Sequence, residues 1–214
     1  MNKRAIKLNQ HSFHPSRCRP HPLVRVFFAV ELGEEVRRRV VDHISNLREQ
    51  LPEVRASWER PEKLHVTLKF IGNIEPDKRA VLSEAAERVA STLAPFHFVI
   101  SDAGAFPVRG SPRVLWLGAR DDSGSLVRLQ RGLEDECEGV GFPREARAFH
   151  PHLTIARLRR PEGARELAAL HEEKGFAPSE VFVEALLLIQ SELGPAGSRY
   201  TELSRHTLGQ AKSS

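Results

Sequence analysis

The chain has few of the residues that build disulfide frameworks or cysteine metal sites. Only two of its 214 residues are cysteine, Cys18 and Cys137, and no Cys-x-x-Cys pair is present. A scaffold held together by disulfides needs several cysteines, so that class is excluded. Scarce cysteine fits a reducing compartment, and we expect a cytoplasmic protein. Cys137 falls on the apolar side of a predicted helix, where a small buried thiol is expected.

Long apolar runs are missing as well. No stretch approaches the roughly 18 residues that are needed to cross a bilayer. The first 22 residues are basic and lack the apolar segment of a secretory signal. We therefore expect no membrane partner, and we expect flexible tails over residues 1–22 and 207–214.

The chain does have a mild excess of positive charge and enough apolar residues for a core. Its formal net charge is +4, and 40% of its residues are hydrophobic. This size and composition suit one globular domain, or two lobes that share a core. A basic excess favours a phosphate-bearing partner without identifying it. Nothing in the sequence demands more than a monomer.

One short pattern, His-x-Thr followed by an aliphatic residue, occurs twice. The first copy contains His65 and Thr67, and the second contains His152 and Thr154. Each copy lies in a stretch that is typical of a β-strand. Because successive side chains of a strand point to opposite faces, the His and the Thr of each copy share a face. Two imidazoles and two hydroxyls from two strands are suited to surround one small anion.

The two copies occupy equivalent places in a duplicated order of elements. Each half reads as strand, helix, motif strand, helix and strand. In the first half these are residues 25–31, 34–51, 63–71, a helix opened by Pro76, and 96–101; in the second they are 113–118, 124–138, 149–157, 161–175 and 181–190, with a last short strand near 200–203. We therefore predict one bilobal domain over residues 23–206, with a Pro/Gly-rich crossover at 107–112 and both motif strands at a central cleft.

These residue types suit acid–base chemistry at a phosphate. Imidazole titrates near neutral pH, so one ring can remove a proton while the other donates one. Each positioned transfer typically contributes about 10²–10⁴-fold in rate. Threonine hydroxyls donate hydrogen bonds to phosphate oxygens. A strained five-membered cyclic phosphate needs little more, whereas an unactivated diester usually requires further help. We expect no metal and no cofactor.

The residues around the motifs add a family resemblance. The stretches that carry it are RVFFAV at 25–30, HVTLKFIG at 65–72, RVLWLG at 113–118 and FHPHLTIAR at 149–157. They resemble the 2H phosphoesterase superfamily and, within it, the RNA 2′,3′-cyclic phosphodiesterases, also called 2′-5′ RNA ligases. The similarity covers roughly residues 24–205. It implies a pseudo-symmetric α+β fold in which antiparallel sheets line a central cleft and helices lie outside.

The resemblance also implies roles for the four motif residues. His65 would donate a proton to the leaving 3′-oxygen, and His152 would activate water. Thr67 and Thr154 would hold the phosphate, and the product would be a 2′-phosphate. Reasoning from the residues alone does not decide which histidine is the acid.

Two charged residues near the motifs are candidates for substrate contact. Arg157 lies three positions after Thr154, where the family commonly has arginine, although regular alternation would place it on the face opposite His152. Lys69 alternates onto the face of His65, where it could add positive charge to the cleft. A structural Arg157 and a solvated Lys69 are the alternatives.

Three further positions carry open alternatives. The family pattern favours Phe28 for stacking on a base, because aromatic–base stacking tolerates any sequence. Trp116, at the equivalent position of the second half, is expected in the core. His150 could join His152 and His65 as a zinc ligand, but a supporting role at the cleft rim is favoured.

The sequence therefore predicts a metal-independent enzyme that hydrolyses RNA or oligonucleotide ends bearing a 2′,3′-cyclic phosphate. The same site run backwards could join such an end to a 5′-hydroxyl. A smaller substrate, such as ADP-ribose 1″,2″-cyclic phosphate, is one alternative. A non-catalytic protein that binds RNA ends is another, but binding alone would tolerate loss of the His and Thr residues. Arg109 and Arg113, which flank the crossover, are candidates for contact with the RNA backbone.

Overall fold

The computed structural model describes residues 23–194 and 197–209, so the predicted tails lie outside the described residues except for residues 207–209. The strands are β1 (Val24–Glu31), β2 (Ala56–Trp58), β3 (His65–Ile74), β4 (Phe96–Phe106), β5 (Val114–Arg120), β6 (His152–Leu158), β7 (Ser179–Val183), β8 (Ala185–Gly194) and β9 (Gly197–Thr207). The helices are α1 (Glu34–Gln50), α2 (Lys78–Ser91), α3 (Ser125–Gly139) and α4 (Ala164–Lys174). Across these ranges, no helix is long and apolar enough to span a membrane.

The nine strands of the described residues form one antiparallel sheet. Their order is β7-β4-β5-β6-β3-β1-β8-β9, and β2 pairs with β6. The two motif strands, β3 and β6, are neighbours at the centre, where Val66 pairs with Leu153. The predicted α+β class with antiparallel strands is confirmed. The two halves of the sheet are joined into one through this central pairing.

The helices cover one face of the sheet. In α1 the spacing of Val36, Val40, Ile44 and Leu47 places all four side chains on one face, as expected for an amphipathic helix, and all four are buried. They share a core with residues of the other three helices and with alternate residues of the strands. The opposite face of the sheet carries a separate, smaller apolar cluster that includes Phe27. That face also carries both motifs.

Strands are exchanged between the two halves of the chain. β4 follows α2 in the first half, yet it pairs with β5 and β7. β8 belongs to the second half, yet it pairs with β1. Each half of the sheet therefore contains strands from both halves of the sequence.

The apolar run 181–190, predicted as one strand, is two strands, and that prediction was wrong. Glu184 separates β7 from β8. β7 lies at one edge of the sheet, whereas β8 lies beside β1 in the other half. Because one residue separates these two strands in sequence, the sheet must curl until its two ends approach each other. The curl turns the helix-free face into a concave cleft.

Candidate active site

The central pairing brings the four motif residues together. Val66 and Leu153 are partners, and both side chains point into the core with 0% exposure. In a regular antiparallel pair, continuing that register by one residue sets His65 across from Thr154, and Thr67 across from His152. Directly opposite residues have Cβ atoms about 4.5–5.5 Å apart. The two imidazoles and two hydroxyls thus form the corners of one small site on the cleft face.

The ring of His65 is fixed by residues two positions away on either side. Its Nδ1 lies 2.6 Å from the carbonyl oxygen of Lys63, and its Nε2 lies 3.1 Å from Thr67 Oγ1. Because a carbonyl can only accept, Nδ1 carries a proton. Burial lowers the pKa of His65 to about 4; the Lys63 carbonyl opposes this shift, and the charge of Arg157 adds to it. In the free protein at pH 7 the ring is neutral, and its Nε2 accepts a hydrogen bond from Thr67.

The ring of His152 is held in the same way. Its Nδ1 donates to the carbonyl oxygen of His150 at 2.7 Å. His150 lies two positions before His152, just as Lys63 lies two positions before His65. The shared pattern leaves Nε2 as the free nitrogen of His152. The contribution of His150 is thus a backbone oxygen, while its side chain is exposed.

Aromatic rings pack against both imidazoles. Phe27 stacks on His65, with ring centroids 4.9 Å apart and an interplanar angle of 27°. Tyr200 of β9 meets His65 edge-on, at 5.4 Å. Phe106 of β4 meets His152 edge-on, at 5.4 Å. Sequence reasoning missed Phe106 and Tyr200 because they come from strands whose positions beside the motifs depend on the sheet order.

The prediction that Phe28 stacks on a base was wrong. Phe28 has 0% exposure and lies in the helix-covered core. Its neighbour Phe27 has the opposite orientation and lies on the cleft face. Trp116, expected in the core, pairs with Thr154 and contacts the ring of Phe106 at 5.1 Å. Phe28, expected at the site, therefore lies in the core, whereas Trp116, expected in the core, lies across from Thr154.

A β-bulge explains why Lys69 does not reach the cleft. In the β1–β3 register, Ala29 pairs with Thr67 and Phe28 pairs with Lys69, so Leu68 is the extra residue. A bulge interrupts the alternation of side chains. Lys69 consequently points toward the helices. It is 3% exposed, forms an ion pair with Glu134 and donates to a backbone carbonyl. The expectation that Lys69 adds charge to the cleft is corrected.

A matching bulge in β6 turns Arg157 toward the cleft. Trp116 pairs with Thr154 and Leu115 pairs with Ala156, so Ile155 is the extra residue. Arg157 therefore returns to the face of Thr154, although regular alternation would place it on the other.

The guanidinium of Arg157 lies beside the active cleft. Its Nε is 3.7 Å from Glu59 Oε1, and half of its side chain is exposed. Burial raises the pKa of Glu59, and the charge of Arg157 opposes that rise. Arg157 is close enough to His65 to depress the pKa of its imidazole. A cation in this place can attract an anionic substrate.

The zinc alternative finds no ligand set in the part of the chain that the structure describes. No three His, Cys, Asp or Glu side chains there are grouped to hold a metal ion, so His65, His150 and His152 do not form one. The expectation that the reaction needs no metal remains a prediction.

Comparisons with known proteins agree with the geometry. The model of the 2′-5′ RNA ligase superfamily matches residues 33–195. The RNA 2′,3′-cyclic phosphodiesterase of Methanothermobacter thermautotrophicus is 34% identical over 84% of this chain and 96% of that protein. Among solved structures, TT0787 of Thermus thermophilus has a TM-score of 0.73 and 30% identity, covering 86% of this chain and 98% of that one. Escherichia coli LigT complexed with 3′-AMP has a TM-score of 0.67 and 28% identity, covering 88% and 99%. The chain belongs to the 2′-5′ RNA ligase superfamily.

Proposed function

We propose that the protein hydrolyses 2′,3′-cyclic phosphate ends of RNA or oligonucleotides to 2′-phosphates, without a metal ion. The observation that carries the proposal is the Val66–Leu153 pairing, which sets His65 and His152 on one face with Thr67 and Thr154. Relatives named RNA 2′,3′-cyclic phosphodiesterase, at 30% identity and above over most of the chain, support the same activity. A protein that only binds RNA ends would not need two imidazoles that can transfer protons, so this alternative does not account for them.

The reaction follows from the positions of the four side chains. The Thr67 and Thr154 hydroxyls donate hydrogen bonds to the non-bridging phosphate oxygens. His152 Nε2 removes a proton from a water whose oxygen forms a bond to phosphorus. The bond from phosphorus to the 3′-oxygen breaks, and His65 Nε2 gives its proton to that oxygen. The products are a 3′-hydroxyl and a 2′-phosphate. The assignment of His65 as donor rests on the family.

Substrate must charge His65 before it can act as the donor. In the free protein burial holds the pKa of His65 at about 4, so the ring is neutral at pH 7. A phosphate anion within about 4–6 Å favours the charged form of an imidazole. Binding of the cyclic phosphate therefore raises the pKa of His65, and the complex takes up a proton. Arg157 limits this rise while it attracts the same anion.

With a 5′-hydroxyl in place of water, the same site joins that hydroxyl to the cyclic end and produces a 2′-5′ linkage. His152 then removes the proton from the 5′-hydroxyl, whose oxygen forms a bond to phosphorus. The bond from phosphorus to the 3′-oxygen breaks, and His65 gives its proton to that oxygen. Because water is in large excess over 5′-hydroxyls, hydrolysis is favoured and ligation is the minor reaction.

The test is turnover of an oligonucleotide with a 2′,3′-cyclic phosphate end in the presence of EDTA. We expect hydrolysis that survives the chelator and yields the 2′-phosphate isomer. His65→Ala and His152→Ala should each lower kcat by about 10²–10⁴-fold, whereas His97→Ala, at an exposed position of β4, should not. Loss of activity with EDTA, or full activity in either motif variant, would overturn the proposal.

A further inference from the structure

Exposed arginines gather where the strands beside His152 end. Ser57 of β2 and Val114 of β5 both pair with Arg157 of β6, on its two sides. The neighbouring arginines define an arginine surface, which consists of Arg55, Arg113, Arg157, Arg159 and Arg160. All five are exposed. Because it includes Arg157, this surface is continuous with the cleft.

The arginine surface contains like charges that are not neutralised by the protein. Ala56 pairs with Leu158, so continuing the register sets Arg55 across from Arg159. Like charges directly opposite on neighbouring strands are destabilising. Arg157 pairs with Glu59 at 3.7 Å. Within residues 23–194 and 197–209, the other four arginines of the surface form no ion pair. Such a cluster is suited to a polyanion that supplies the missing negative charge.

The flanks of the catalytic residues are chemically different, although the centre is pseudo-symmetric. Phe70 on β3 and Arg157 on β6 each lie three residues after a motif threonine, beyond matching bulges. On the β3 side Phe70 is 55% exposed and pairs with Phe27 of β1. The β6 side presents the five arginines of the arginine surface, whereas the other side carries exposed Arg25 of β1 and Arg199 of β9, and Arg199 pairs with Glu192 at 3.6 Å. A substrate with an apolar base at one end and charged phosphates along the other therefore fits in one direction.

We propose that the arginine surface binds the phosphates of single-stranded RNA on the 5′ side of the cyclic end. The inference rests on the proposed function, because the cyclic end must occupy the cleft for the strand to reach this surface. It makes the preferred substrate an oligonucleotide and not a mononucleotide. It also fixes the direction of the strand, which leaves the cleft over β6 and β2.

The experiment compares two substrates with the same terminal nucleotide. One is cytidine 2′,3′-cyclic monophosphate, and the other is a ten-nucleotide RNA ending in that group. The test variant is Arg55→Gln/Arg159→Gln/Arg160→Gln. The matched control, Arg48→Gln/Arg131→Gln/Arg165→Gln, removes three exposed arginines from the helices on the other side of the sheet.

We expect the test variant to lose about tenfold or more in kcat/KM on the oligonucleotide, while its activity on the mononucleotide stays unchanged. For single strands the slope of log affinity against log salt is about −0.7 for each neutralised phosphate. Loss of three contacts should therefore flatten that slope by about 2. The control variant should resemble the wild type. Equal losses on both substrates, or no selective loss on the oligonucleotide, would overturn the inference.

A binding measurement separates failure of this inference from failure of the proposed function. If the wild type turns over neither substrate, the proposed function is wrong. Fluorescence anisotropy with a 5′-labelled ten-nucleotide RNA ending in a 2′-phosphate then measures the affinity for RNA without requiring turnover. Weaker, less salt-dependent binding by the test variant than by the control supports the inference. Equal binding by both variants refutes it.

Discussion

Val66 and Leu153 pair at the centre of the sheet, and their side chains fill the helix-covered core. The residues on either side of each therefore face the cleft together. A slip of one residue in either strand would send its His and Thr to the core face. The grouping of the four motif residues thus depends on ordinary hydrophobic packing, which holds the register of the two motif strands.

Lys69 should matter for stability and not for substrate binding. Its ammonium is buried against Glu134 of α3, so Lys69→Met leaves a buried carboxylate without its cation. Such a loss costs about 3–5 kcal/mol in the free energy of unfolding, which urea denaturation would measure. The double variant Lys69→Met/Glu134→Gln, which removes the charge but keeps an acceptor for Gln130, should recover most of it. If Lys69→Met raised KM and left the free energy of unfolding unchanged, Lys69 would contact substrate in the cleft, contrary to this prediction.

Gly104 should be required beneath the indole of Trp116. A Cβ at position 104 would overlap that ring. Overpacking of this kind typically costs about 1–3 kcal/mol, and we expect Gly104→Ala to lower the urea midpoint accordingly. Gly139→Ala is the control, because a Cβ there meets no atom within 4 Å. Comparable destabilisation in both variants would show that the Trp116 contact is not the cause.

Stability should fall in acid because buried imidazoles resist protonation. Burial lowers the pKa of His43 to about 4, while an unfolded histidine titrates near 6.5. Between these values the unfolded state binds more protons, so the free energy of unfolding decreases as the pH falls through this window. His43 Nε2 lies 2.9 Å from His171 Nδ1, and His171 Nε2 donates to the carbonyl of Trp116.

The variant His43→Gln isolates the contribution of that ring. Its amide can still donate to His171 but does not titrate. We expect the free energy of unfolding, measured in urea between pH 7.5 and 4.5, to decline less steeply than in the wild type. Some decline should persist, because burial also lowers the pKa of His65 and His171. An identical pH dependence in both proteins would mean that His43 is protonated equally well when folded.

Phe70 should serve as a platform for the base. It is 55% exposed on the cleft face, and its ring centroid lies 5.8 Å from that of Phe27. Stacking on an aromatic side chain contributes about 1–3 kcal/mol per base. We expect Phe70→Ala to raise KM for cytidine 2′,3′-cyclic monophosphate about tenfold, and to leave turnover of glycerol 1,2-cyclic phosphate unchanged. Phe182→Ala, at a similarly exposed position on β7, is the control. Equal effects on both substrates would exclude a contact with the base.

The shared face of the four motif residues could be predicted from the sequence because local rules determine it. The period of two along each strand is enough to place His65 with Thr67, and His152 with Thr154, on one face. The spacing of Val36 and its partners likewise reveals the buried face of α1. Cytoplasmic location and a monomeric state stay predictions.

The remaining site residues depend on pairing that one strand cannot reveal. The bulges at Leu68 and Ile155 exist because the partner strands leave those residues unpaired, and they reverse the orientations of Lys69 and Arg157. The exchange of β4 and β8 between the halves is equally hidden in a strand-by-strand reading. Phe106 reaches His152 as a consequence of that exchange.

The central claim is that His65 and His152 contact one phosphate, and NMR titration of the histidine rings tests it most directly. We expect cytidine 2′-monophosphate to shift the ring resonances of both along a single binding curve, with exposed His97 unaffected. Saturation with the ligand should also raise the pKa of His65 from about 4 toward neutrality. A shift of one ring alone, or a pKa of His65 that stays near 4 at saturation, would contradict the claim.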